Sequence, residues 1–268
     1  MATRDMSRWE TAICRVVSDG DTEEIIVRGH RMSELIGKLT FAEMMFLMLQ
    51  GKLPTQPQAR TLDALLVASI EHGIAPPSMI ARCYASYGTP IQAAMAAGVN
   101  AFGDRMGGLG EQMARLLVER LALHAKGSPL SDALLRREAE AIVDEARRAG
   151  TRVPGFGIPL HGADPRAPRV LDVARREGTF GDYCRLGMEI EAALARARGG
   201  KGVPMNIDGV GAVVALDLGF DWRATRSFLI TPRTVSFAAH FLEEQDQDTT
   251  WRHLPAGQIN YTGREPSS

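Results

Sequence analysis

The sequence predicts an all-α fold with a short β-hairpin at its N-terminal end. Three observations carry that expectation. Apolar residues recur at helical spacing through most of the 268 residues. β-prone runs are confined to the first thirty residues. Glycine is abundant, with 27 residues, and it concentrates in three places where helical segments join. A hairpin segment is expected over 1–30 and a single multi-helix domain over 31–268.

Taken in order, Thr11 to Val17 and Glu23 to Val27 flank Ser18-Asp19-Gly20-Asp21, a turn sequence. Ser33 to Gln50 then carries Leu35, Ile36, Leu39, Met44, Leu47 and Met48 at helical spacing and ends at Gly51. Pro57 to Gly73 places Leu62, Leu65, Leu66, Ser69 and Ile70 on one face. Pro77 to Gly103 is almost entirely small and apolar and reads as one helix buried all round. Gly110 to Ala125 and Ser131 to Arg148 are amphipathic. Asp164-Pro165 reads as an N-cap followed by proline at the first helical position, opening a helix that stops before Gly178. Gly181 to Arg198, Gly209 to Leu218 and Thr225 to Glu244 complete about nine helices, and the chain from Gln245 is polar and irregular.

Composition narrows the classes of function. Hydrophobic residues at 45% and charged residues at 24% are ordinary globular usage. Lys plus Arg total 31 against 32 Asp plus Glu, so the chain lacks the electrostatic footprint of a nucleic-acid binder. Cys14, Cys83 and Cys184 are too few and scattered for a disulfide framework or a Cys-rich zinc site. Reduced thiols and a cytoplasmic location are the expectation. The opening MATRDMSRWE has no apolar core of signal-peptide length, and the apolar run from Phe41 to Leu49 is short and holds Glu43, so no membrane span is expected. His124 and His240 have no paired ligand spacing, so no metal is expected.

The glycine-rich segments read GDRMGGLG (103–110), GFGIPLHG (155–162, running into Ala163-Asp164-Pro165-Arg166) and GGKGVPMNIDGVG (199–211). Glycine at this density permits positive φ and close approach of backbone to a ligand. One such loop is explained equally well by tight helix packing. Three, each holding an Arg, Lys, His or Asp, point to a shared site. None matches a P-loop or a strand-preceded dinucleotide fingerprint.

Read together, LIGKLTFAEMMFLMLQGKLPT (35–55), EHGIAPPSMIAR (71–82), GDRMGGLGE (103–111), GFGIPLHGADPR (155–166), PMNIDG (204–209), PR (232–233) and TWRHLP (250–255) resemble motifs of the citrate synthase superfamily. The resemblance is to its short citryl-CoA lyase branch, which includes the C-terminal lyase module of ATP-citrate lyase. It implies a citrate synthase-like helical homodimer that binds a coenzyme A thioester and a citrate-like or oxo-acid partner, with no permanently bound cofactor. Such enzymes make or break the bond between the thioester α-carbon and a carbonyl carbon. That chemistry needs a base or acid at the α-carbon, an acid/base at the carbonyl or carbinol oxygen, and cations for carboxylates.

The resemblance assigns Asp208 as the α-carbon acid/base; the alternative reading of the residue is a cap on the helix opening at Gly209. His72 falls at the first substrate-binding histidine. Arg166 and Arg233 match arginines that clamp substrate carboxylates, and Arg252 matches an arginine contributed by the neighbouring subunit. Arginine suits the task because its planar fork binds carboxylates bidentately. Lys201, Arg105, Gly155 and Gly157 fall at coenzyme A contacts. Two positions depart from the pattern. Citrate synthases carry a histidine where this chain has Met106, as the lyase module also does not. The GxGH pattern becomes Gly155-Phe156-Gly157-Ile158, so the imidazole that serves the oxygen is an isoleucine. Losing a positioned acid/base costs typically about 10²–10⁴-fold in rate. His161 is the other imidazole of that loop, and service of the same oxygen by His161 is one of the outcomes left open. A different, less oxygenated acceptor, altered thioester chemistry such as hydrolysis, and a binder without turnover stand as alternatives.

Overall fold

The computed structural model describes residues 9–20, 23–122, 124, 129–157, 164–264 and 266. Three short strands come first: β1 (Cys14–Ser18), β2 (Glu23–Val27) and β3 (His30–Arg31). Eleven α-helices follow among the described residues: α1 (Met32–Leu35), α2 (Phe41–Gln50), α3 (Gln56–Ser69), α4 (Pro76–Ser86), α5 (Ile91–Asn100), α6 (Leu109–Leu121), α7 (Asp132–Arg148), α8 (Arg166–Arg176), α9 (Asp182–Ala197), α10 (Ile207–Asp217) and α11 (Ser227–Asp246). The expected all-α class with an N-terminal hairpin is thus the observed one. The chain divides into two compact units, Met1–Ser69 with Asp104–Thr231, and Ile70–Gly103 with Pro232–Ser268.

In the larger unit β1 and β2 pair antiparallel with Cys14 opposite Val27, and β3, too short to read from sequence, pairs with β2. The helix expected over 33–50 is two. Gly37 takes φ +78 and ends the first. Thr40 starts the second with a capping box, its hydroxyl accepting from the Glu43 N–H while the Glu43 carboxylate accepts from the Thr40 N–H.

α10 is the centre of this unit. Its sequence, IDGVGAVVALD, is apolar on every side, and all of it is buried except parts of Asp208 and Asp217. It packs against α3, α6, α8 and α9. Outside it the helices are amphipathic: α7 turns Leu135, Ala139, Ile142 and Val143 inward and leaves Arg and Glu outside. Phe220 stacks against both Phe46 and Phe228, with ring centroids 4.9 and 4.7 Å away. The Asp217 carboxylate accepts from the N–H groups of Gly181, Tyr183 and Cys184, which fixes the first turn of α9, and burial pushes its pKa up.

In the smaller unit the single helix expected over 77–103 is also two. Gly88 at φ +76 and Pro90 separate α4 from α5. The expectation that this stretch is buried all round fails for both helices: α4 leaves Met79, Ile80 and Tyr84 exposed, and in α5 only Ala94 and Gly98 are buried. Alanine carries too little apolar area to force burial of every face. Gly98 is required by packing, since a Cβ there would lie 2.8 Å from the Phe237 ring. Ala85, Ala94 and Phe241 form the apolar cluster of this unit.

Candidate active site

The three glycine-rich segments meet at the start of α10. Asn206 caps the helix, its side-chain oxygen accepting from the Gly209 N–H at 3.1 Å. Asp208 is therefore not the cap; it sits within the first turn, where the partial positive charge of the helix end favours a carboxylate. Against this turn the start of α6 approaches so closely that a Cβ on Gly110 would lie 2.8 Å from the Asp208 carbonyl oxygen. On another side, Gly155 takes φ +84, and a Cβ on Gly209 would lie 2.3 Å from the Gly155 carbonyl oxygen. Short backbone pairing holds this contact. Gly157 donates to Pro204 O, Asn206 N donates to Gly155 O, and the Asn206 amide donates to Gly157 O. The glycines thus let three backbones converge around one half-buried carboxylate. Asp208 also lines a small cavity with Ser69, Gly107, Gly110, Glu111, Thr225 and Arg226.

Arg166 opens α8 in the same unit and is held by Asp164. The Asp164 carboxylate accepts from the Arg166 backbone N–H, Nε and Nη2 at 3.1, 2.9 and 2.8 Å, and from the Ile207 N–H at 3.2 Å. Burial acts to raise the Asp164 pKa, but these hydrogen bonds and the guanidinium charge outweigh it and hold the carboxyl below its ordinary value. Pro165, one residue later than expected, occupies the N-cap position of α8. Arg166 also donates to Ala68 O at 3.3 Å. The guanidinium is fixed in place, and its anchor touches the residue preceding Asp208.

The smaller unit holds His72, Arg233 and Arg252. Glu71 organises the first two. One of its oxygens accepts from the His72 N–H at 2.7 Å and lies 3.9 Å from Arg233; the other accepts from the Ser236 hydroxyl and lies 3.2 Å from His240 Nε2. Burial acts to raise the Glu71 pKa, and the Ser236 and His72 hydrogen bonds with the His240 and Arg233 charges bring it below its ordinary value. Arg252 is engaged within its own chain. Its Nε and Nη2 donate to the two oxygens of the fully buried Glu244, which also pairs with the buried Arg82 at 2.6 Å.

Beside the Gly155–Gly157 loop, in the larger unit, lies a groove of about 950 Å³. Val143, Val153, Pro154, Phe156, Leu194 and Val203 supply apolar walls, and Arg105, Arg147, Arg152 and Arg198 stand on it. Arg105, Gly155 and Gly157 were expected at a ligand from the sequence. Arg147, Arg152 and Arg198 were not, because they belong to separate helix ends and loops that only the fold collects. Lys201 is exposed and is not among the lining residues, although Val203 is. Met106 is half-buried one residue before Gly107. Ile158 and His161 lie outside the described residues. Among the described residues no three His, Cys, Asp or Glu side chains cluster as a metal site, and no helix is long and apolar enough to cross a membrane.

The fold is all-α, with a buried central helix that carries a carboxylate in its first turn, amphipathic helices around it and glycine-rich loops at its start. Comparison with known proteins gives the family. The pattern described as "Citrate synthase, C-terminal domain" matches residues 2–61 and 55–254, and the chain belongs to the citrate synthase family. The chain is 25% identical over 229 residues to the citrate synthase of Heyndrickxia coagulans, covering 84% of this chain and 57% of that protein. It therefore spans a little over half the length of that curated relative. Among solved structures it is similar to citryl-CoA lyase from Hydrogenobacter thermophilus, with TM-score 0.84, 34% identity, and 97% and 96% of the two chains covered. It also shares the fold of ATP citrate lyase from Methanothrix soehngenii, a structure in complex with citrate and coenzyme A, with TM-score 0.78, 17% identity, and 98% and 43% of the chains covered.

Proposed function

We propose that this protein breaks or forms the carbon–carbon bond between the α-carbon of a coenzyme A thioester and the carbonyl carbon of an oxo acid, as a citryl-CoA lyase-like enzyme. The observation that carries this reading is the placement of Asp208 in the first turn of α10, where all three glycine-rich segments meet. In the cleavage direction the carbinol O–H loses its proton and the oxygen electrons form the oxo-acid carbonyl. The carbon–carbon pair moves onto the thioester, and the resulting enolate takes a proton at its α-carbon from Asp208. Condensation is the reverse, with Asp208 as base. Arg166 of the larger unit, kept in place by Asp164, and His72 and Arg233 of the smaller unit, kept in place by Glu71, are each assigned to a substrate carboxylate. The arginine groove, with Gly155 and Gly157 at its edge, suits the phosphates and adenine of coenzyme A, and Lys201 adds charge nearby. His161 serves the carbinol oxygen in place of the histidine that Ile158 replaces. The enzyme acts as a cytoplasmic homodimer without a resident cofactor, and Arg252 presents to the neighbouring subunit the guanidinium edge that faces away from Glu244.

Asp208→Asn tests this. It is expected to lower citryl-CoA cleavage by at least about 10²-fold while calorimetry shows thioester binding within a few-fold of wild type. An unchanged rate removes Asp208 from the chemistry. One observation favours a second reading, a thioester binder without turnover: Ile158 offers no proton and no hydrogen bond. Tight binding by the wild-type chain with no cleavage, condensation or hydrolysis would select that reading.

A further inference from the structure

The cavity beside Asp208 holds a feature that the bond-making chemistry does not use. Thr225, in the segment leading into α11, lines it together with Asp208. Thr225 is 95% buried by its 5% exposure, and its hydroxyl oxygen has no hydrogen-bond partner among the described residues. A buried hydroxyl without a partner forfeits the hydrogen bonds that water would give it. The cavity offers about 20 Å³ of room for the centre of a water molecule. That exceeds the roughly 10–15 Å³ one water requires. Its lining is polar enough to hold one: Ser69, Glu111, Asp208, Thr225 and Arg226 all contribute.

Resting on the reading of Asp208 as the α-carbon acid/base, we propose that this cavity binds one water molecule that bridges the Thr225 hydroxyl to the Asp208 carboxyl. Thr225 is then a positioning residue for that carboxyl. Charged groups also stand beside the cavity. Glu111 comes from α6 and pairs with Arg226 at 2.9 Å; Arg226 also reaches Asp104 at 3.0 Å. On the Ile207 side Asp164 pairs with Arg166 and accepts from the Ile207 N–H. Glu111 and Arg226 thus line the cavity as a pair. A hydrogen bond donated by the anchored water favours the charged form of the carboxyl. Without the hydroxyl the water loses its fixed partner and the carboxyl holds its proton to higher pH.

The test compares Thr225→Val and Thr225→Ala, which remove the hydroxyl, with Thr225→Ser, which keeps it. The Asp208 carboxyl is titrated by carbon-13 NMR in the full-length protein, its resonance identified by its loss in Asp208→Asn. Val and Ala are expected to raise its pKa by about one pH unit, and Ser to leave it at the wild-type value. Val and Ala proteins titrating with wild type would overturn the proposal, as would a Ser protein shifted as far as Val. The pH profile of α-proton exchange on an acyl-CoA gives the second readout: its acid limb moves with the carboxyl, whereas a packing defect lowers the rate at every pH. Wild type that titrates as expected but exchanges no α-proton would sink the proposed reaction and leave the water site standing.

Discussion

Asp164 is enclosed on all sides and still charged. Four donors meet its two oxygens, three of them from Arg166. Its pKa lies below the ordinary 3.8. A carboxylate with a depressed folded-state pKa contributes stability that is fully present above the unfolded value and is lost as pH falls through the lower folded value. Asp164→Asn leaves Arg166 without its counter-ion and is expected to cost about 3–5 kcal/mol at neutral pH in urea denaturation. The difference from wild type should shrink below about pH 4. Equal stabilities at pH 7 would show that the pair contributes nothing. From sequence, the Asp-Pro-Arg triplet was legible as a helix start and Arg166 as a clamp. The second task of Asp164, accepting from Ile207, was not, because the two residues are 43 positions apart. Asp208 shows the converse. Local pattern left its capping role open, and only the geometry gave that role to Asn206.

Among the elements, α6 and α10 approach closely because Gly110 carries no side chain. Gly110→Ala would place a methyl group against the Asp208 carbonyl oxygen. It is expected to cost about 1–3 kcal/mol in stability, read as a lower urea midpoint, and to depress turnover by shifting Asp208. A variant with wild-type midpoint and rate would mean that the approach of the two helices is not needed. The central helix was legible in sequence because an uninterrupted apolar run has one good place to go. The amphipathic α7 was legible for the opposite reason, its two faces being chemically distinct. The breaks before α2 and α5 were missed. Each is made by a single glycine at positive φ followed within three residues by Thr40 or Pro90, a signal that apolar periodicity runs straight across.

For the whole molecule, a net charge of −1 hides an uneven distribution. Four arginines stand on one groove, and Arg147 is paired only with the exposed Asp144 at 3.7 Å among the ion pairs of the described residues. Arg152→Gln is expected to weaken coenzyme A thioester binding about tenfold, the effect of losing one charge-assisted contact. Binding by wild type should also weaken as salt rises, since exposed charges are screened. Calorimetric titration at two ionic strengths checks both; an affinity indifferent to salt and to Arg152→Gln would place the ligand elsewhere. The fold class and the family were legible in the order of seven motifs. The two units were not, since Ile70–Gly103 and Pro232–Ser268 lie far apart in the chain and share no shift of composition that marks them as one body.

The contact between Gly155 and Gly209 also bears on how this scaffold can be re-engineered. Each occupies space the other's side chain would need, so neither can be enlarged while its partner compensates. Libraries aimed at new acyl groups are therefore wasted at those two codons. Diversity belongs on the rim, at Arg105, Arg147, Arg152 and Arg198, where exposed side chains can change length and charge without entering that contact.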